Sequence, residues 1–185
     1  MEASEKAKRA WCAYPRTCEY TGGAEKNMPN AHVLVNPDAP AIADADAHIE
    51  APIEMVWDIL TDFQNWPTWN KSVSKMQVDG PIETGTSFEW HADGWKLASC
   101  LEEVDPPKRV AWSGTTLGIR STHVWDLTEE GQGTHVQTVE AFEGLVPTLL
   151  RYFTRKKLAK SLDQGMAALK AEAESRAGHG IASPI

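Results

Sequence analysis

The period of the hydrophobic residues changes once along this chain, and that change limits the folds it can adopt. From Ser72 to Gly144 apolar residues recur at every second position, and after Pro147 they recur at every third or fourth position. A period of two indicates strands with one buried face, and a period near 3.6 indicates an amphipathic helix. The predicted strands span residues 72–79, 86–92, 95–104, 109–115, 120–128 and 133–143. Short turns such as Asp93-Gly94 join them, so the strands pair antiparallel as a meander.

The last apolar pattern predicts one long C-terminal helix. Pro147 suits its first turn, and the pattern continues to about Arg176, which corresponds to roughly eight turns. A helix with so long an apolar stripe needs a large surface to cover it, and the predicted sheet is the only candidate. The pattern therefore predicts an α+β fold.

A further strand and two short helices precede the meander. Ala41 to Glu50 alternates as a strand and ends at Ala51-Pro52, where proline suits the first turn of a helix. Helical spacing follows to Leu60, and the aromatic stretch Thr61–Asn70 reads as a second short helix. The predicted domain spans residues 41–176, between a flexible N-terminal extension (1–40) and a C-terminal tail (177–185).

Charge and cysteine content narrow the classes of function. The net charge of −8 opposes binding to nucleic-acid phosphates. Three cysteines without CxxC spacing argue against a zinc site or a disulfide framework, and no motif for a cofactor or a metal is present. Cys100 is expected to be a small buried residue, with pairing of Cys12 and Cys18 left open. We expect a cytoplasmic protein, since we find no signal peptide and no membrane-spanning run.

Several short motifs in this order resemble one superfamily. They include Ile49-Glu50-Ala51-Pro52, Trp66-Pro67-Thr68-Trp69-Asn70, Val104-Asp105-Pro106-Pro107 and Glu140-Ala141-Phe142-Glu143-Gly144. Each motif is weak alone, but their order and spacing over about 41–176 resemble the START-like (SRPBCC) superfamily, most closely its polyketide cyclase/dehydrase-like branch. The resemblance implies a helix-grip fold, in which a curved seven-stranded antiparallel sheet wraps the long C-terminal helix and two short helices follow strand 1.

The resemblance also implies an internal cavity for a small hydrophobic ligand that is lipid-, polyketide- or aromatic-like. A carrier or sequestering protein is the first functional hypothesis. The second is a polyketide cyclase or dehydratase that needs no cofactor, and the third is a protein-interaction module whose core is filled by its own tryptophans. We expect a monomer or a homodimer.

Seven of the eight tryptophans lie between Trp57 and Trp125, and strand alternation places several of them on one face of the sheet. An aromatic interior with a few polar groups is typical of pockets for apolar ligands, although aromatic residues also simply fill cores. The candidate ligand-binding residues are Trp66, Trp69, Phe88, Trp90, Trp112, Arg120, Trp125, Phe142, Leu150 and Phe153. Of these, Trp66 and Trp69 are expected either to form a lid or to plug the space against the long helix.

His123 and Glu140 are the candidate catalytic pair. Both fall on apolar strand faces of sequential strands, so they are expected to be neighbours across the sheet. Such a pair can act as acid and base in an enolisation or aldol cyclisation, hydrogen-bond a ligand, or simply tie two strands together. Arg120 is a candidate for an anionic ligand group at the mouth of the cavity, or else a solvated charge.

The start of the long helix carries five basic residues from Arg151 to Lys160, beside Leu149, Leu150 and Phe153. Two interpretations are open, contact with an anionic membrane surface and the solvated face of an amphipathic helix, and the pattern favours the second.

Overall fold

The computed structural model describes residues 32–180, with side chains up to Gly178. Its seven strands are β1 (Ala41–Ile49), β2 (Val73–Val78), β3 (Ser87–Ala92), β4 (Trp95–Asp105), β5 (Arg109–Thr116), β6 (Ile119–Glu130) and β7 (Gly133–Glu143). They form one antiparallel sheet in the order β1-β7-β6-β5-β4-β3-β2. The meander and the seven-stranded sheet that the residue pattern predicts are therefore confirmed.

The helices are α1 (Ile53–Thr61), α2 (Trp66–Trp69), α3 (Leu145–Leu149) and α4 (Arg151–Gly180), and a 3₁₀ turn at Phe63–Asn65 joins α1 to α2. Pro52 immediately precedes α1, where a missing N–H removes no helical hydrogen bond. The two short helices after β1 and the long C-terminal helix match the predicted helix-grip fold.

The C-terminal helical region is divided, where the sequence pattern predicts one continuous helix from Pro147. Leu150 has φ −115° and ψ 31°, and it separates α3 from α4. α3 follows Gly144, whose φ is +125°. A Cβ atom on Gly144 would lie 2.5 Å from the carbonyl oxygen of Gly118. Glycine is required at this position, because the chain here packs directly against the β5–β6 hairpin.

The interior contains two separate apolar clusters. The larger lies between α1, α2 and the inner face of the sheet, and Met166, Leu169 and Ala173 of α4 close it. The smaller consists of Ala43, Leu158 and Leu162, with Phe142 packed against it. The earlier part of α4 lies beyond both clusters, and Arg151, Tyr152 and Phe153 are exposed.

The segment just before β1 is hydrogen-bonded to the C-terminal end of β4 and the N-terminal end of β5. The Glu103 carboxylate accepts the Val33 N–H at 2.7 Å and contacts His32 Nδ1 at 2.6 Å. Arg109 Nη2 donates to the Val33 carbonyl oxygen at 2.7 Å. Burial acts to raise the pKa of Glu103, but these hydrogen bonds and Arg109 outweigh it and hold the pKa below its usual value. Residues 32 and 33 are thus anchored to the sheet.

The remaining predictions concern the two termini, the cysteines and membrane-spanning segments. The flexible extension over 1–31 and the tail over 181–185 lie outside the described residues, while residues 177–180 continue α4. Cys100 is buried, as the sequence predicts. It is also disulfide-bonded, which the sequence interpretation does not predict. Cys12 and Cys18 lie outside the described residues. Within residues 32–180, no helix is long and apolar enough to cross a membrane.

Candidate functional site

Strand register places His123 and Glu140 side by side on the inner face of the sheet. Glu140 on β7 pairs with Ala43 on β1 and with His123 on β6. His123 pairs in turn with Trp112 on β5. Directly opposed residues of antiparallel strands share a face, so these side chains form one row. The prediction that His123 and Glu140 are cross-strand neighbours is confirmed.

The next row along the strands contains small residues at its centre. Ser121 pairs with Gly114, and Gly114 pairs with Ser99. A Cβ atom on Gly114 would lie 2.8 Å from Ser121 Oγ and 3.0 Å from Ser99 Oγ, so a larger residue would require these hydroxyls to move. Trp90 Nε1 donates to Ser99 Oγ at 3.1 Å. This row therefore presents two hydroxyl groups to the inner face with no side chain between them.

We give the name polar band to five of the buried polar side chains on the inner face: Ser99, Ser121, His123, Thr138 and Glu140. Each is at most 8% exposed. None belongs to either apolar cluster, although Trp112 and Trp125 of the larger cluster pair directly with His123 and Thr138. A buried polar group costs free energy unless it is hydrogen-bonded, so apolar packing alone does not account for this set.

The hydrogen bonds of Thr138 determine which nitrogen of His123 carries the proton. Thr138 Oγ1 donates to the Val124 carbonyl oxygen at 3.0 Å and lies 2.8 Å from His123 Nε2. Because the Thr138 hydroxyl donates its only proton to the Val124 carbonyl oxygen, it accepts a hydrogen bond from Nε2–H of His123. Burial lowers the pKa of His123 to about 3, so the ring is neutral at pH 7. Its Nδ1 is then an unprotonated acceptor.

Glu140 is also neutral at pH 7. Burial raises the pKa of Glu140 to about 8, although a hydrogen bond with Ser121 acts to lower it. Glu140 Oε2 lies 3.7 Å from His123 Nδ1, which is within ion-pair range but longer than a hydrogen bond. Since neither group is charged, the two do not form an ion pair. They are a carboxylic acid and a free imidazole nitrogen facing each other.

Three buried nitrogen atoms of this region have no hydrogen-bond partner within residues 32–180: Trp112 Nε1, Trp125 Nε1 and His123 Nδ1. The ring centroid of His123 lies 4.6 Å from that of Trp112 and 5.4 Å from that of Trp125. Leaving a buried polar atom unsatisfied costs about 1–3 kcal/mol. The region thus offers two unused donors and one unused acceptor close together.

The predicted wall residues divide between this region and a closed core. Phe88, Trp112 and Trp125 are buried, whereas Trp90 and Phe142 are half-buried. The aromatic cluster consists of Phe63, Trp66, Phe88 and Trp112, whose ring centroids lie 5.1 to 6.1 Å apart. Self-packing tryptophans therefore fill the end of the interior under α1 and α2.

Trp66 and Trp69 have different surroundings. Trp66 is buried and donates from Nε1 to the Leu60 carbonyl oxygen at 2.9 Å, so it plugs the interior in this structure. Trp69 is half-buried and its ring lies 5.5 Å from that of Trp66. A role of either in contacting a ligand stays a prediction.

Three predicted ligand-binding residues do not join the interior. Arg120 lies on the outer face of the sheet, whereas His123 lies on the inner face, and Arg120 Nη2 is 3.5 Å from Glu143 Oε2. Leu150 and Phe153 are 52% and 71% exposed, because the start of α4 extends past the sheet. The helical period correctly marks them as apolar, but it carries no information on how far the sheet extends beneath them.

Sequence reasoning missed the small residues of the site. Ser99, Gly114 and Ser121 carry no motif, and only the register shows that they form one row. A signal was available, because Ser121 is two positions before His123 and Gly114 is two positions after Trp112. Among the described residues, no group of three or more His, Cys, Asp or Glu side chains is placed to bind a metal ion.

A separate groove of about 480 Å³ lies at the edge of the sheet, between the edge strand β1 and the first turns of α4. Its lining includes Asp44, Tyr152, Arg155 and Lys156. It contains none of the predicted ligand-binding residues.

Comparison with known proteins agrees with this architecture. Residues 40–174 match the protein family described as polyketide cyclase/dehydrase and lipid transport. No curated protein matches the sequence. A hypothetical protein from Helicobacter pylori is similar in structure, with a TM-score of 0.70 at 14% identity over 81% of this chain and 99% of that one.

Two further solved structures share the fold. One is the Zhui aromatase/cyclase from Streptomyces sp. R1128, with a TM-score of 0.66 and 16% identity over 74% of this chain and 94% of that one. The other is a START superfamily protein from Mycobacterium smegmatis, with a TM-score of 0.63 and 13% identity over 72% of this chain and 97% of that one. At these identities the likeness concerns the fold alone.

Proposed function

The chain belongs to the polyketide cyclase/dehydrase and lipid transport family, and on this premise we propose that it binds a small, largely apolar molecule bearing oxygen groups. The single observation that carries the proposal is the set of three unpartnered buried nitrogens beside the polar band. A ligand that supplies partners for them would recover part of the cost of burying them. Carriage or sequestration of such a molecule is the function that this arrangement supports best.

The chemistry of the site defines the class of ligand. The indole N–H groups of Trp112 and Trp125 donate, so they require acceptors such as carbonyl oxygens. His123 Nδ1 accepts, so it requires a hydroxyl. Gly114 places no side chain between the Ser99 and Ser121 hydroxyls, so this part of the inner face presents polar oxygens to a ligand. A fused-ring or extended molecule with a hydroxyl near a carbonyl meets all three requirements.

Two probes with the same ring system test this directly. We expect 1,8-dihydroxyanthraquinone to bind more tightly than anthracene in calorimetric titrations of the purified protein, because only the former satisfies the unpartnered nitrogens. Equal affinity for the two, or no binding of either, would contradict the proposal. Native mass spectrometry of freshly purified protein would show whether a molecule of this class already travels with it.

Trp112→Phe and Trp125→Phe refine the experiment, because each removes an indole N–H but keeps an aromatic ring. We expect each to weaken binding of the dihydroxyanthraquinone roughly tenfold, the equivalent of one buried hydrogen bond. Trp57→Phe is the matched control: Trp57 is also buried, but it lies on α1 and its indole nitrogen is not one of the three unpartnered nitrogens. It should leave the affinity unchanged.

A second function, as a cofactor-independent cyclase or dehydratase, is favoured by the facing acid and base. In an enolisation, His123 Nδ1 takes a proton from the carbon next to a ketone while Glu140 gives its proton to the ketone oxygen. When the enol carbon attacks a second carbonyl, the enol proton returns to Glu140 and the new alkoxide takes the proton from His123. Both residues finish as they began.

Substitutions at the pair distinguish a carrier from an enzyme. For an enzyme, His123→Ala should reduce the turnover of a poly-β-ketone substrate about 100-fold or more, while binding of the dihydroxyanthraquinone should weaken only by the roughly tenfold that one lost hydrogen bond accounts for. For a carrier, no cyclised product should appear with wild-type protein above the rate of the substrate alone. Glu140→Gln serves as the companion variant, since it keeps the shape of the side chain and removes its acidic proton.

A further inference from the structure

The elbow between α3 and α4 exposes a large group of apolar side chains. We call this the elbow surface, and it consists of Leu145, Val146, Leu149, Leu150, Tyr152 and Phe153. Four of the six are at least 70% exposed. A contiguous apolar patch on a folded protein usually marks an interaction site when it exceeds a few hundred Å². The folded domain leaves four of these side chains largely in solvent and buries only about half of Val146 and Leu150, so its stability does not explain the group.

The tips of two hairpins adjoin the elbow surface. Leu117, which is 74% exposed, is at the β5–β6 turn, where the following Gly118 packs directly against Gly144 at the start of α3. Trp95 begins β4 and is 44% exposed, and Lys157 Nζ of α4 lies 5.7 Å from the centre of its ring. Three separate segments therefore bring exposed apolar side chains to the same end of the molecule.

The backbone conformation at Leu117 is unfavourable for leucine, so the fold itself does not explain the exposed side chain there. Leu117 has φ +45° and Gly118 has φ +77°, as in a two-residue hairpin turn that favours Asn-Gly or Asp-Gly. Leucine is a poor choice there, because its side chain gains no burial and crowds the backbone in the left-handed region. Neither turn geometry nor packing accounts for leucine at this tip.

The charged residues of the elbow and of the first turns of α4 are all basic, although Asp44 of β1 lines the groove beside Tyr152, Arg155 and Lys156. Arg151, Arg155, Lys156, Lys157 and Lys160 lie in the first ten residues of α4, and no acidic residue occurs between Gly144 and Leu162, in a chain of net charge −8. Cations at the start of a helix oppose its dipole and destabilise it slightly. Their placement does not serve the helix, and it creates a positive region on an otherwise acidic protein.

We propose that the elbow surface and the two hairpin tips dock on the surface of an anionic lipid bilayer. The apolar side chains enter the boundary between headgroups and acyl chains, and the five basic residues contact lipid phosphates. Exposed leucine and aromatic side chains beside lysine and arginine are the combination that interfacial membrane binding requires. A second copy of this chain fits less well, because a symmetric contact would oppose the same five cations.

The proposal is independent of the ligand proposed above, because vesicle binding requires nothing in the interior. The experiment is co-sedimentation of the full chain with vesicles of phosphatidylcholine alone and of phosphatidylcholine mixed with phosphatidylglycerol. We expect binding to the mixed vesicles, at least tenfold weaker binding to phosphatidylcholine alone, and weaker binding as salt increases.

Two double variants separate the apolar part from the charged part. Leu149→Ser/Phe153→Ser should weaken binding to the mixed vesicles about tenfold or more. Arg155→Gln/Lys156→Gln should remove most of the preference for phosphatidylglycerol. The matched controls are Leu34→Ser, at an equally exposed leucine near the opposite end of β4, and Lys75→Gln, at an exposed lysine on β2. Both controls should bind as the wild type does.

Three results would overturn the proposal. The first is no binding of the wild type to either vesicle. The second is binding that the elbow variants and the controls weaken equally. The third is a concentration-dependent dimer in sedimentation equilibrium that Leu149→Ser/Phe153→Ser abolishes while vesicle binding is absent. That last result would assign the elbow surface to a second copy of the chain.

Discussion

The two ends of the sheet's inner face use similar residues in opposite ways. Under α1 and α2, the aromatic cluster is buried, with Trp112 in edge-to-face contact with Phe63, Trp66 and Phe88. At the α3–α4 elbow, Leu149, Tyr152 and Phe153 stand in solvent. The polar band lies between the two ends. The difference shows that one end of this fold supplies stability and the other is free to make contacts outside the domain.

The largest expected effect tests that division directly. Trp112→Ala should lower the free energy of unfolding by about 3–5 kcal/mol, because it leaves a cavity among closely packed buried rings. Phe153→Ala removes a ring that is 71% exposed and should change the stability by no more than about 0.5 kcal/mol. Urea unfolding followed by far-ultraviolet circular dichroism compares the two. Equal effects would mean that the elbow is part of the core.

The polar band between the ends should give the next largest effect, through pH. The pKa of Glu140 is about 8 in the folded state against 4.5 unfolded, so stability falls as pH rises between these values. The pKa of His123 is about 3 against 6.5, so its contribution falls as pH drops from 6.5 to 3. The two slopes oppose each other below pH 6.5, and above it the fall from Glu140 acts alone.

We therefore expect the free energy of unfolding to drop by about 2 kcal/mol between about pH 6.5 and about pH 8. Glu140→Gln should remove this drop, since the glutamine side chain does not ionise in this pH range. Glu129→Gln, at an exposed carboxylate on β6, is the control and should retain it. The proposed burial of a neutral Glu140 is wrong if the wild type and Glu140→Gln show parallel pH profiles in urea titrations.

Gly114→Ala should change the stability less than Trp112→Ala or the titration of Glu140 does, although its effect on binding should be large. The added methyl group would lie 2.8 Å from Ser121 Oγ and 3.0 Å from Ser99 Oγ, and because these hydroxyls can rotate away we expect a change of about 1 kcal/mol or less in stability. Affinity for 1,8-dihydroxyanthraquinone should fall about tenfold, the equivalent of about 1.4 kcal/mol. Calorimetric titration measures it.

Ser113→Ala is the matched control for Gly114→Ala. Ser113 is the next residue on β5, and its Oγ donates to Glu102 Oε1 at 2.6 Å on the outer face. It should leave the affinity unchanged. If Gly114→Ala also binds normally, the ligand does not lie over this part of the sheet.

Much of the fold was accessible from the sequence because strands and turns leave local signals. The turn residues Asp93-Gly94 and the proline at Pro52 mark where elements end, and the observed strand bounds differ from the predicted ones by at most two residues. The same alternation puts His123 and Glu140 on inner faces. Short antiparallel connections then make them neighbours, as the register confirms.

The parts that sequence reasoning did not predict depend on how distant elements meet. Arg120 was a candidate for the ligand because it precedes His123 by three positions, but an odd separation along a strand puts it on the opposite face, beside Glu143. The break at Leu150 was missed because both of its flanks have helical spacing. The close contact of Gly144 with Gly118 that accompanies this break is between residues 26 positions apart, and no local pattern records it.

By itself, the sequence determined the class of fold, the order of the elements and the faces on which apolar residues lie, because these follow from local periodicity and turn chemistry. Only the tertiary structure decided which of those apolar faces are covered. Phe88 and Phe153 are equally apolar, but the first is sealed by the aromatic cluster while the second lies on a helix that extends past the sheet. Burial depends on the surface that arrives from elsewhere in the chain, and the period of a segment does not contain that information.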